Sequence, residues 1–363
     1  MKKISVLMSV YRDAMEYFEA AIVSIQNQTY ENWEMIIVND GDIENDSYYR
    51  KYIDELADKR IIYISNEVNQ GISVCLNQAL QIATGEFIAK MDSDDISLPT
   101  RFEKQVEFFN SHPKSNVLGT YAIEFGDVYN YLIDYNNYSK KMRSILLMFR
   151  NSGLIHPSAM IRRTFLDNNK IQYDEHFRKA LDYRLWVKCT KYSKIDCLNE
   201  ILFLYRRHSS QISTSGKSEQ DNYRDQLRII QLNSLLDKFS EAEKELHLRL
   251  CNRNNNLVDV QLLYNWCKRL DKANREKNIY DHFLFKGYLF SESITAVCKL
   301  RKELGFYKFF TNFVRFISIE SVYVLIYNKC INIGNIIKKK MLPICKKRKI
   351  QYINMYLQQF SED

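Results

Sequence analysis

The sequence predicts an α/β fold in which a mostly parallel, Rossmann-like sheet is flanked by helices and followed by a helical C-terminal region. Along the first ninety residues, short apolar runs rich in β-branched side chains alternate with longer segments of helical periodicity. Because the runs are largely apolar, they are typical of parallel strands that helices cover on both faces. The predicted strands are Ile4–Val10, Trp33–Asn39, Ile61–Ser65 and Phe87–Met91, and the predicted helices lie around Tyr17–Gln28, Tyr48–Ala57 and Ile72–Ala83.

Later elements follow from capping residues and from periodicity. Ser97 is expected to cap a helix that has Pro99 in its first turn and continues through Arg101–Asn110. The other predicted elements are a strand-like segment at 119–137, helices at Ser139–Arg150 and Asp182–Tyr192, and a strand at Ile201–Tyr205. Beyond them the chain becomes polar and then helical, which predicts a domain boundary near residue 217, with a helical region at 218–363.

Charge is distributed unevenly along the 363 residues, whose net charge is +8. Residues 1–100 carry 8 Lys/Arg against 17 Asp/Glu, whereas residues 301–363 carry 12 against 4. An acidic first half argues against a nucleic-acid groove, because phosphate contacts need clustered cations. The basic tail instead indicates an anionic partner such as a membrane surface.

Cysteine usage and the N-terminus point to a cytoplasmic protein. The eight cysteines are scattered and form no CxxC pair, so we expect reduced thiols rather than a disulfide framework or a zinc site. The apolar run after Met1-Lys2-Lys3 is too short for a signal peptide and is expected to be the first buried strand.

Carboxylates follow two of the predicted strands, at the sheet edge where α/β proteins bind ligands. Asp92-Ser93-Asp94-Asp95 places three acids in four residues, which repel one another unless a cation lies among them. Hard oxygen ligands of this kind favour Mg²⁺ or Mn²⁺. An acidic turn in which Asp95 or Ser97 caps the next helix is the alternative interpretation.

The second carboxylate cluster is Asn39-Asp40-Gly41-Asp42. Gly41 allows a sharp turn, and Asp40 could accept hydrogen bonds from the edge of a nucleobase. An ordinary Asx turn explains the same residues. The sequence contains neither GxGxxG nor GxxxxGK[ST], which argues against dinucleotide and P-loop binding.

Three further residues are candidates for proton transfer or ligand binding. Asp182 lies in an apolar setting that includes Leu181 and Trp186, and such a setting can raise the basicity of a carboxylate. Asp182 could equally be the first-turn acid of a helix. His156 and His208 could each be a ligand or a proton carrier, or could be structural.

Taken together, several short motifs resemble glycosyltransferase family 2, whose catalytic domain has the GT-A fold. Each motif is weak alone, but their order and spacing over roughly residues 3–215 are specific. In chain order the motifs are Ile4–Tyr11, Ser24–Tyr30 with Trp33-Glu34, Val38–Asp42, Asn69–Ile72 with Leu76–Ala79, Ala83–Ile88, Met91–Asp95 and Pro99–Gln105.

The resemblance implies a role for each matching position. Asp182 is implied to be the catalytic base, and Asp94 is implied to bind Mn²⁺ or Mg²⁺ with His208 nearby. We also expect His156 and Trp186 to contact the acceptor. The residues implied to bind the nucleotide are Ser9, Val10, Tyr11, Asp40, Asn69, Gly71, Asp92 and Ser93. On this basis residues 1–100 form the nucleotide-sugar half of a catalytic domain and residues 100–217 its acceptor half.

Two positions depart from the family pattern. The family usually has Asp-Asp-Gly-Ser where this chain has Asn39-Asp40-Gly41-Asp42. It usually has Glu-Asp at the later acidic motif, where this chain has Leu181-Asp182. The loss of that glutamate removes a contact to the acceptor or the donor sugar, so we expect altered specificity.

The function implied is inverting transfer of a sugar from a UDP-sugar to a hydroxyl of a glycan or lipid-linked acceptor, as in capsule or lipopolysaccharide synthesis. Two alternatives are a sugar-phosphate nucleotidyltransferase and a non-catalytic nucleotide-sugar-binding scaffold. A nucleotidyltransferase usually opens with a Gly-rich basic loop, and none follows Val10.

The tail predicts peripheral attachment to the cytoplasmic face of a membrane. Its most apolar segment, Phe313–Ile337, is interrupted by charges and precedes the basic runs Lys338–Lys340 and Lys346–Lys349. An apolar stripe beside a basic cluster suits an anionic lipid surface. A helical cap with a solvated basic face is the alternative.

Overall fold

A computed structural model describes residues 1–127, 131–133, 138–151, 153–208, 217–252, 259–299 and 310–326 of the chain. Within them the strands are β1 (Ile4–Val10), β2 (Trp33–Asn39), β3 (Ile61–Ser65), β4 (Phe87–Lys90), β5 (Ile96–Ser97), β6 (Val117–Gly126), β7 (Tyr131–Ile133), β8 (Met160–Arg162) and β9 (Ile195–Arg207). The helices are α1 (Met15–Gln26), α2 (Ile43–Leu56), α3 (Ile72–Ile82), α4 (Arg101–Ser111), α5 (Lys140–Phe149), α6 (Arg163–Asn168), α7 (Leu181–Thr190), α8 (Lys217–Leu235), α9 (Glu241–Asn252), α10 (Val260–Lys277) and α11 (His282–Lys299).

The described strands form one sheet in the order β3-β2-β1-β4-β8-β6-β9-β5, with β7 paired to β6. The first four neighbours in this order are parallel, whereas β8 runs antiparallel to both β4 and β6. The α/β fold with its flanking helices and helical C-terminal region is therefore confirmed. The first ninety residues form four neighbouring parallel strands, and β6 and β9 form a further parallel pair.

Glu34 fixes the parallel strands to one another. Its carboxylate accepts hydrogen bonds from Ser5 Oγ on β1 (2.6 Å), from Lys3 Nζ (2.6 Å) and from the backbone N–H of Thr84 before β4 (2.6 Å). Burial alone would raise the pKa of Glu34, but Lys3 and Ser5 outweigh it and lower the pKa to about 2. The carboxylate thus joins three segments that define the registers of β1, β2 and β4.

The predicted capping role of Ser97 is wrong. Ser97 lies in β5, which pairs antiparallel with β9, and its hydroxyl accepts a hydrogen bond from Gln28 Nε2 (3.1 Å). Helix α4 begins after Thr100, and no side chain caps it. Asp95 is not a cap either, because its Oδ1 accepts from the backbone N–H of Arg206 (2.7 Å).

The chain divides into two compact units. The first contains Met1–Asn137 and Gly153–Gln220 with Tyr356–Asp363, and the second contains Tyr138–Ser152 and Asp221–Met355. The core of the second unit includes Met142 and Leu146 of α5, so this helix packs with the C-terminal helices. The functional division at residue 217 stays a prediction. In the part of the chain that the structure describes, no helix combines the length and apolar character needed to cross a membrane.

Candidate functional site

Parallel pairing brings the carboxyl ends of β1, β2 and β4 to one edge of the sheet. Val10 pairs with Asn39, and Leu7 pairs with Lys90, so the segments that follow these strands are neighbours. Val10 is buried and its carbonyl accepts from the N–H of Asp40 (2.9 Å), whereas Tyr11 is 39% exposed. Of these two predicted nucleotide-binding residues, Tyr11 therefore offers a side chain to a ligand.

Asp40 holds the loop that precedes α3. Its Oδ1 accepts from the backbone N–H groups of Gln70 (2.7 Å) and Gly71 (3.1 Å), and its Oδ2 accepts from Asn69 Nδ2 (3.1 Å). The carboxylate is 3% exposed, so most of its hydrogen-bonding capacity is used within the protein. Asp40, Asn69 and Gly71 are thus brought together as predicted from the motifs, while their contacts to a nucleotide stay predictions.

Gly41 makes this arrangement sterically feasible. Its φ is +76°, and a Cβ at this position would lie 2.2 Å from the backbone carbonyl carbon of Val68. Any other residue would push the 68–71 loop away from the end of β2. The glycine therefore allows the loop to close over Asp40.

Asp42 is a structural residue that the sequence did not single out. Its Oδ2 accepts from the backbone N–H of Arg12 (3.0 Å), from Asn45 Nδ2 (2.8 Å) and from the hydroxyl of Tyr49 (3.1 Å). It therefore ties the segment after β1 to α2. The departure from the usual Asp-Asp-Gly-Ser pattern was the available signal.

The acidic triplet follows β4. Asp92, Asp94 and Asp95 each offer a carboxylate oxygen, and these oxygens lie within 4.8 Å of one another. Oδ2 of Asp95 is buried, and no residue in the described part of the chain hydrogen-bonds it. A set of three hard oxygens with one orphaned buried acceptor fits Mg²⁺ or Mn²⁺, the cofactor predicted from the sequence.

Side chains of the protein already offset part of the repulsion within the triplet. Lys90, only 3% exposed, places Nζ 2.5 Å from Oδ1 of Asp92. His208 Nε2 lies 2.9 Å from Oδ2 of Asp94, and Arg206 Nε donates to the carbonyl of Asp94 (2.6 Å). The expectation that only a bound cation could relieve the repulsion was therefore incomplete. Lys90 and Arg206 were missed because nothing in the sequence indicates that Lys90 is buried or that half-buried Arg206 contacts the triplet.

The surroundings shift the pKa values of Asp92 and Asp95 in opposite directions. Burial alone would raise the pKa of Asp92, but the charge of Lys90 outweighs it, so the pKa of Asp92 lies below its ordinary value. Burial, together with the charges of Asp94 and Asp92, raises the pKa of Asp95 well above its ordinary value. The triplet thus contains one carboxylate whose ionised form the protein stabilises and one whose ionised form it destabilises.

Ser93 connects the triplet to the end of β1. Its hydroxyl donates to Oδ2 of Asp13 (2.5 Å) and lies 3.2 Å from the carbonyl of Ser9. Burial, opposed in part by the Ser93 hydrogen bond, raises the pKa of Asp13 to about 6. Asp13 is a second residue that the sequence did not single out. Ser9 and Ser93, both predicted to bind the nucleotide, lie together here.

Asp182 lies in the first turn of α7, and the loop before it is held against α3. Ser73 Oγ donates to the carbonyl of Phe177 (3.0 Å), and Asn77 Nδ2 donates to the carbonyl of Tyr173 (3.1 Å). Ala180, with φ of +57°, turns the chain into the helix. Helix α3 therefore positions the segment that carries Asp182.

His156 lies within electrostatic range of both acidic motifs. Its Nε2 is 2.9 Å from the hydroxyl of Tyr173. Burial and the charge of Lys90 lower the pKa of His156 to about 4, against the opposing charges of Asp92 and Asp182. His156 is therefore near enough to both Asp92 and Asp182 for their charges to act on its pKa. A neutral imidazole also suits a hydrogen-bonding role better than a charged one.

Trp186 was predicted to contact the acceptor, but the structure places its side chain in the core. It is fully buried, its ring centroid lies 6.0 Å from that of His156, and a Cβ at Gly153 would clash with its ring. In this structure it presents no surface to an acceptor and instead packs against His156. Its large apolar ring is more stable in the core than in a solvated cleft.

The chain is similar in sequence to known glycosyltransferases. Residues 5–169 match the family model described as Glycosyl transferase family 2. A glycosyltransferase of Methanocaldococcus jannaschii is 34% identical over 207 residues, 56% of this chain and 70% of the relative. The Escherichia coli O-antigen biosynthesis glycosyltransferase WbnJ is 33% identical over 59% of this chain and 83% of the relative.

Two further matches extend the comparison. The E. coli UDP-Glc:alpha-D-GlcNAc-diphosphoundecaprenol beta-1,3-glucosyltransferase WfgD is 29% identical over 60% of this chain and 81% of its own length. The crystal structure of S. aureus TarS 1-349 in complex with UDP-GlcNAc superposes with a TM-score of 0.56 at 15% identity, over 84% of this chain and 93% of that chain, and shares its fold. With two relatives above 30% identity over more than two thirds of their own length, the chain belongs to glycosyltransferase family 2 and is a GT-A transferase.

Proposed function

We propose that this enzyme transfers a sugar from a UDP-sugar, with inversion, to a hydroxyl of a lipid-linked or glycan acceptor in surface polysaccharide synthesis. Family membership makes it a glycosyltransferase rather than a nucleotidyltransferase or a non-catalytic scaffold. The names of WfgD and WbnJ support polysaccharide assembly, and that of WfgD supports a diphosphoundecaprenol-linked acceptor. The UDP-GlcNAc complex of TarS and the name of WfgD support a UDP-sugar donor.

The observation that carries the proposal is the proximity of the two acidic motifs. Lys90, the ion-pair partner of Asp92, lines a small cavity together with His156 and with Leu185, which lies on α7 as Asp182 does. The charges of Asp92 and Asp182, which are ninety residues apart in the chain, both act on His156. A donor diphosphate beside the triplet and an acceptor hydroxyl beside Asp182 could therefore meet in one site. We assign Tyr11 and the loop held by Asp40 to the nucleotide.

The proposed reaction is a single displacement. The acceptor oxygen attacks the anomeric carbon, the bond from that carbon to the diphosphate oxygen breaks, and UDP leaves. A carboxylate oxygen of Asp182 takes the acceptor proton as the attack proceeds, since a hydroxyl is otherwise a weak nucleophile. Asp94, with Asp92 and Asp95 beside it, would hold a divalent cation that offsets the charge of the leaving diphosphate. His208, in contact with Asp94, orients that carboxylate.

A donor panel tests the proposal. UDP-glucose, UDP-galactose, UDP-GlcNAc and GDP-mannose are each incubated with the full chain, Mn²⁺ or Mg²⁺, and a GlcNAc-diphosphoundecaprenol acceptor. We expect acceptor-dependent release of UDP from one UDP-sugar, and we expect chelation of the metal to abolish it. Turnover of GDP-mannose with no turnover of any UDP-sugar would contradict the donor assignment.

A further inference from the structure

Residues 310–326 of the second unit carry apolar side chains both toward the core and toward solvent. They form two short helical segments, 310–315 and 319–326, and their buried residues Phe316 and Val324 belong to the core of the unit. Seven other large apolar side chains in the same stretch are between 42% and 82% exposed, and two of them are the aromatic residues Phe310 and Tyr323. We call the five aliphatic ones the apolar rim: Val314, Ile317, Ile319, Val322 and Ile326.

The helical geometry of 319–326 separates the rim from the core. At about 100° per residue, Ile319, Val322 and Ile326 fall within about 60° of one another around the helix axis. Ser321 and Val324 point to the other side and are buried. A helix that only packs on a globular core carries polar residues on its outer face. The outer face here is apolar, and contiguous exposed apolar side chains mark an interaction surface.

The rim continues onto a neighbouring helix. Phe283 of α11 is 43% exposed, and its ring centroid lies 5.3 Å from that of Tyr323. Glu320, at the flank of the rim, is paired with Lys286 (2.9 Å), so its charge is compensated locally. The exposed apolar surface therefore extends over two helices. The acid at its border, Glu320, has its charge balanced by Lys286.

The charge of the following sequence distinguishes between partners. Residues 327–349 contain eight Lys/Arg and no Asp/Glu. A second copy of this chain would bring the same positive charge to the interface, and like charges oppose association. An anionic lipid surface would bind the basic residues through its phosphates and the rim through its acyl region.

We propose that the apolar rim is the surface by which the enzyme docks on an anionic lipid membrane. This inference rests on the proposed function in one respect only, namely that a lipid-linked acceptor is reached from such a surface. The rim side chains enter the headgroup boundary, and the basic segment adds an attraction that depends on lipid charge and on salt.

Vesicle flotation of the full chain tests the proposal. The vesicles contain phosphatidylcholine alone or equal parts of phosphatidylcholine and phosphatidylglycerol. We expect the wild type to float with the anionic vesicles and not with the neutral ones. The variant Ile319→Ser/Val322→Ser/Ile326→Ser should bind at least about tenfold more weakly, because each substitution removes buried hydrocarbon. The matched control Ile82→Ser/Tyr192→Ser/Ile230→Ser alters exposed apolar residues elsewhere and should float like the wild type.

Two further measurements keep the test decisive. Ile319→Trp should show fluorescence quenching by brominated lipids, and the absence of quenching would overturn the proposal. Equal flotation of the rim variant and the wild type would also overturn it, as would a wild-type dimer in solution that the rim variant abolishes. UDP release without vesicles should be unchanged in the rim variant. If no UDP-sugar is turned over by any form while flotation still depends on the rim, the proposed function fails and the docking surface stands.

Discussion

At the scale of single residues, the site consists of acids whose charges the protein itself partly balances. Buried Lys90 forms an ion pair with half-buried Asp92, and Arg206 and His208 contact Asp94. Asp95 retains an orphaned oxygen and a raised pKa. The protein therefore holds Asp92 ionised before any ligand arrives and leaves an acceptor for a cation beside it.

Replacing Lys90 should lower the free energy of unfolding. Lys90→Met leaves Asp92, whose side chain is 29% exposed, without its partner, and we expect the free energy of unfolding to fall by about 1–3 kcal/mol at pH 8. Because burial would then raise the pKa of Asp92, the carboxyl can take up a proton in acid, so the deficit should shrink at lower pH. Urea unfolding of the wild type and of Lys90→Met at pH 8 and pH 5 measures this deficit in stability.

Lys104→Met is the matched control for this prediction. Lys104 pairs with Glu200 at 3.9 Å, and both side chains are exposed. Its loss should change stability by less than about 1 kcal/mol at either pH. Equal effects of the two substitutions, or a Lys90→Met deficit that grows in acid, would contradict the role given to Lys90.

The sequence predicted the acids of the site better than their partners. Asp92, Asp94 and Asp40 were recognisable because they follow apolar runs that end at one edge of a parallel sheet. Lys90 and Asp13 were not, because their burial depends on side chains from distant parts of the chain. A carboxylate cluster is local in sequence, whereas Arg206 and His208, which contact Asp94, are more than a hundred residues away from it in the chain.

At the scale of elements, the parallel strands were predictable and the mixed half was less so. Strands β1, β2 and β3 match their predicted bounds because each is a largely apolar run. Strand β5 has two residues and exists only through its pairing with β9, so Ser97 looked like a helix cap. Strand β9 extends well beyond the predicted Ile201–Tyr205 because it pairs along β6.

Glu34 offers a test of how these strands are joined. Since its pKa is about 2 in the folded protein against 4.5 for an ordinary glutamate, its contribution to stability is complete above pH 4.5 and is lost as the pH falls toward 2. We expect Glu34→Gln to be less stable than the wild type at pH 7 and to lose less stability between pH 4.5 and 2. Urea midpoints across this range measure both. Parallel pH curves for the two proteins would show that Glu34 does not tie the strands as described.

At the scale of the whole molecule, the chain is two compact units that are not contiguous in sequence. Tyr138–Ser152 belongs to the second unit, although it lies within the first 217 residues. A change of composition reveals where helical sequence begins, but it cannot reveal that α5 packs in the core formed by α8 to α11. Such packing depends on contacts over more than eighty residues. The basic runs Lys338–Lys340 and Lys346–Lys349 lie outside the described residues.

The central claim is that Asp182 acts as the base beside the acidic triplet, and Asp182→Asn tests it most directly. Loss of the base should slow acceptor-dependent UDP release by about 10²–10⁴-fold, while UDP affinity measured by calorimetry stays unchanged. The matched control is Asp167→Asn on α6, where the side chain is 60% exposed and pairs with Arg163. The account predicts a wild-type rate for the control and loss of transfer for Asp182→Asn. A wild-type rate for Asp182→Asn would contradict it.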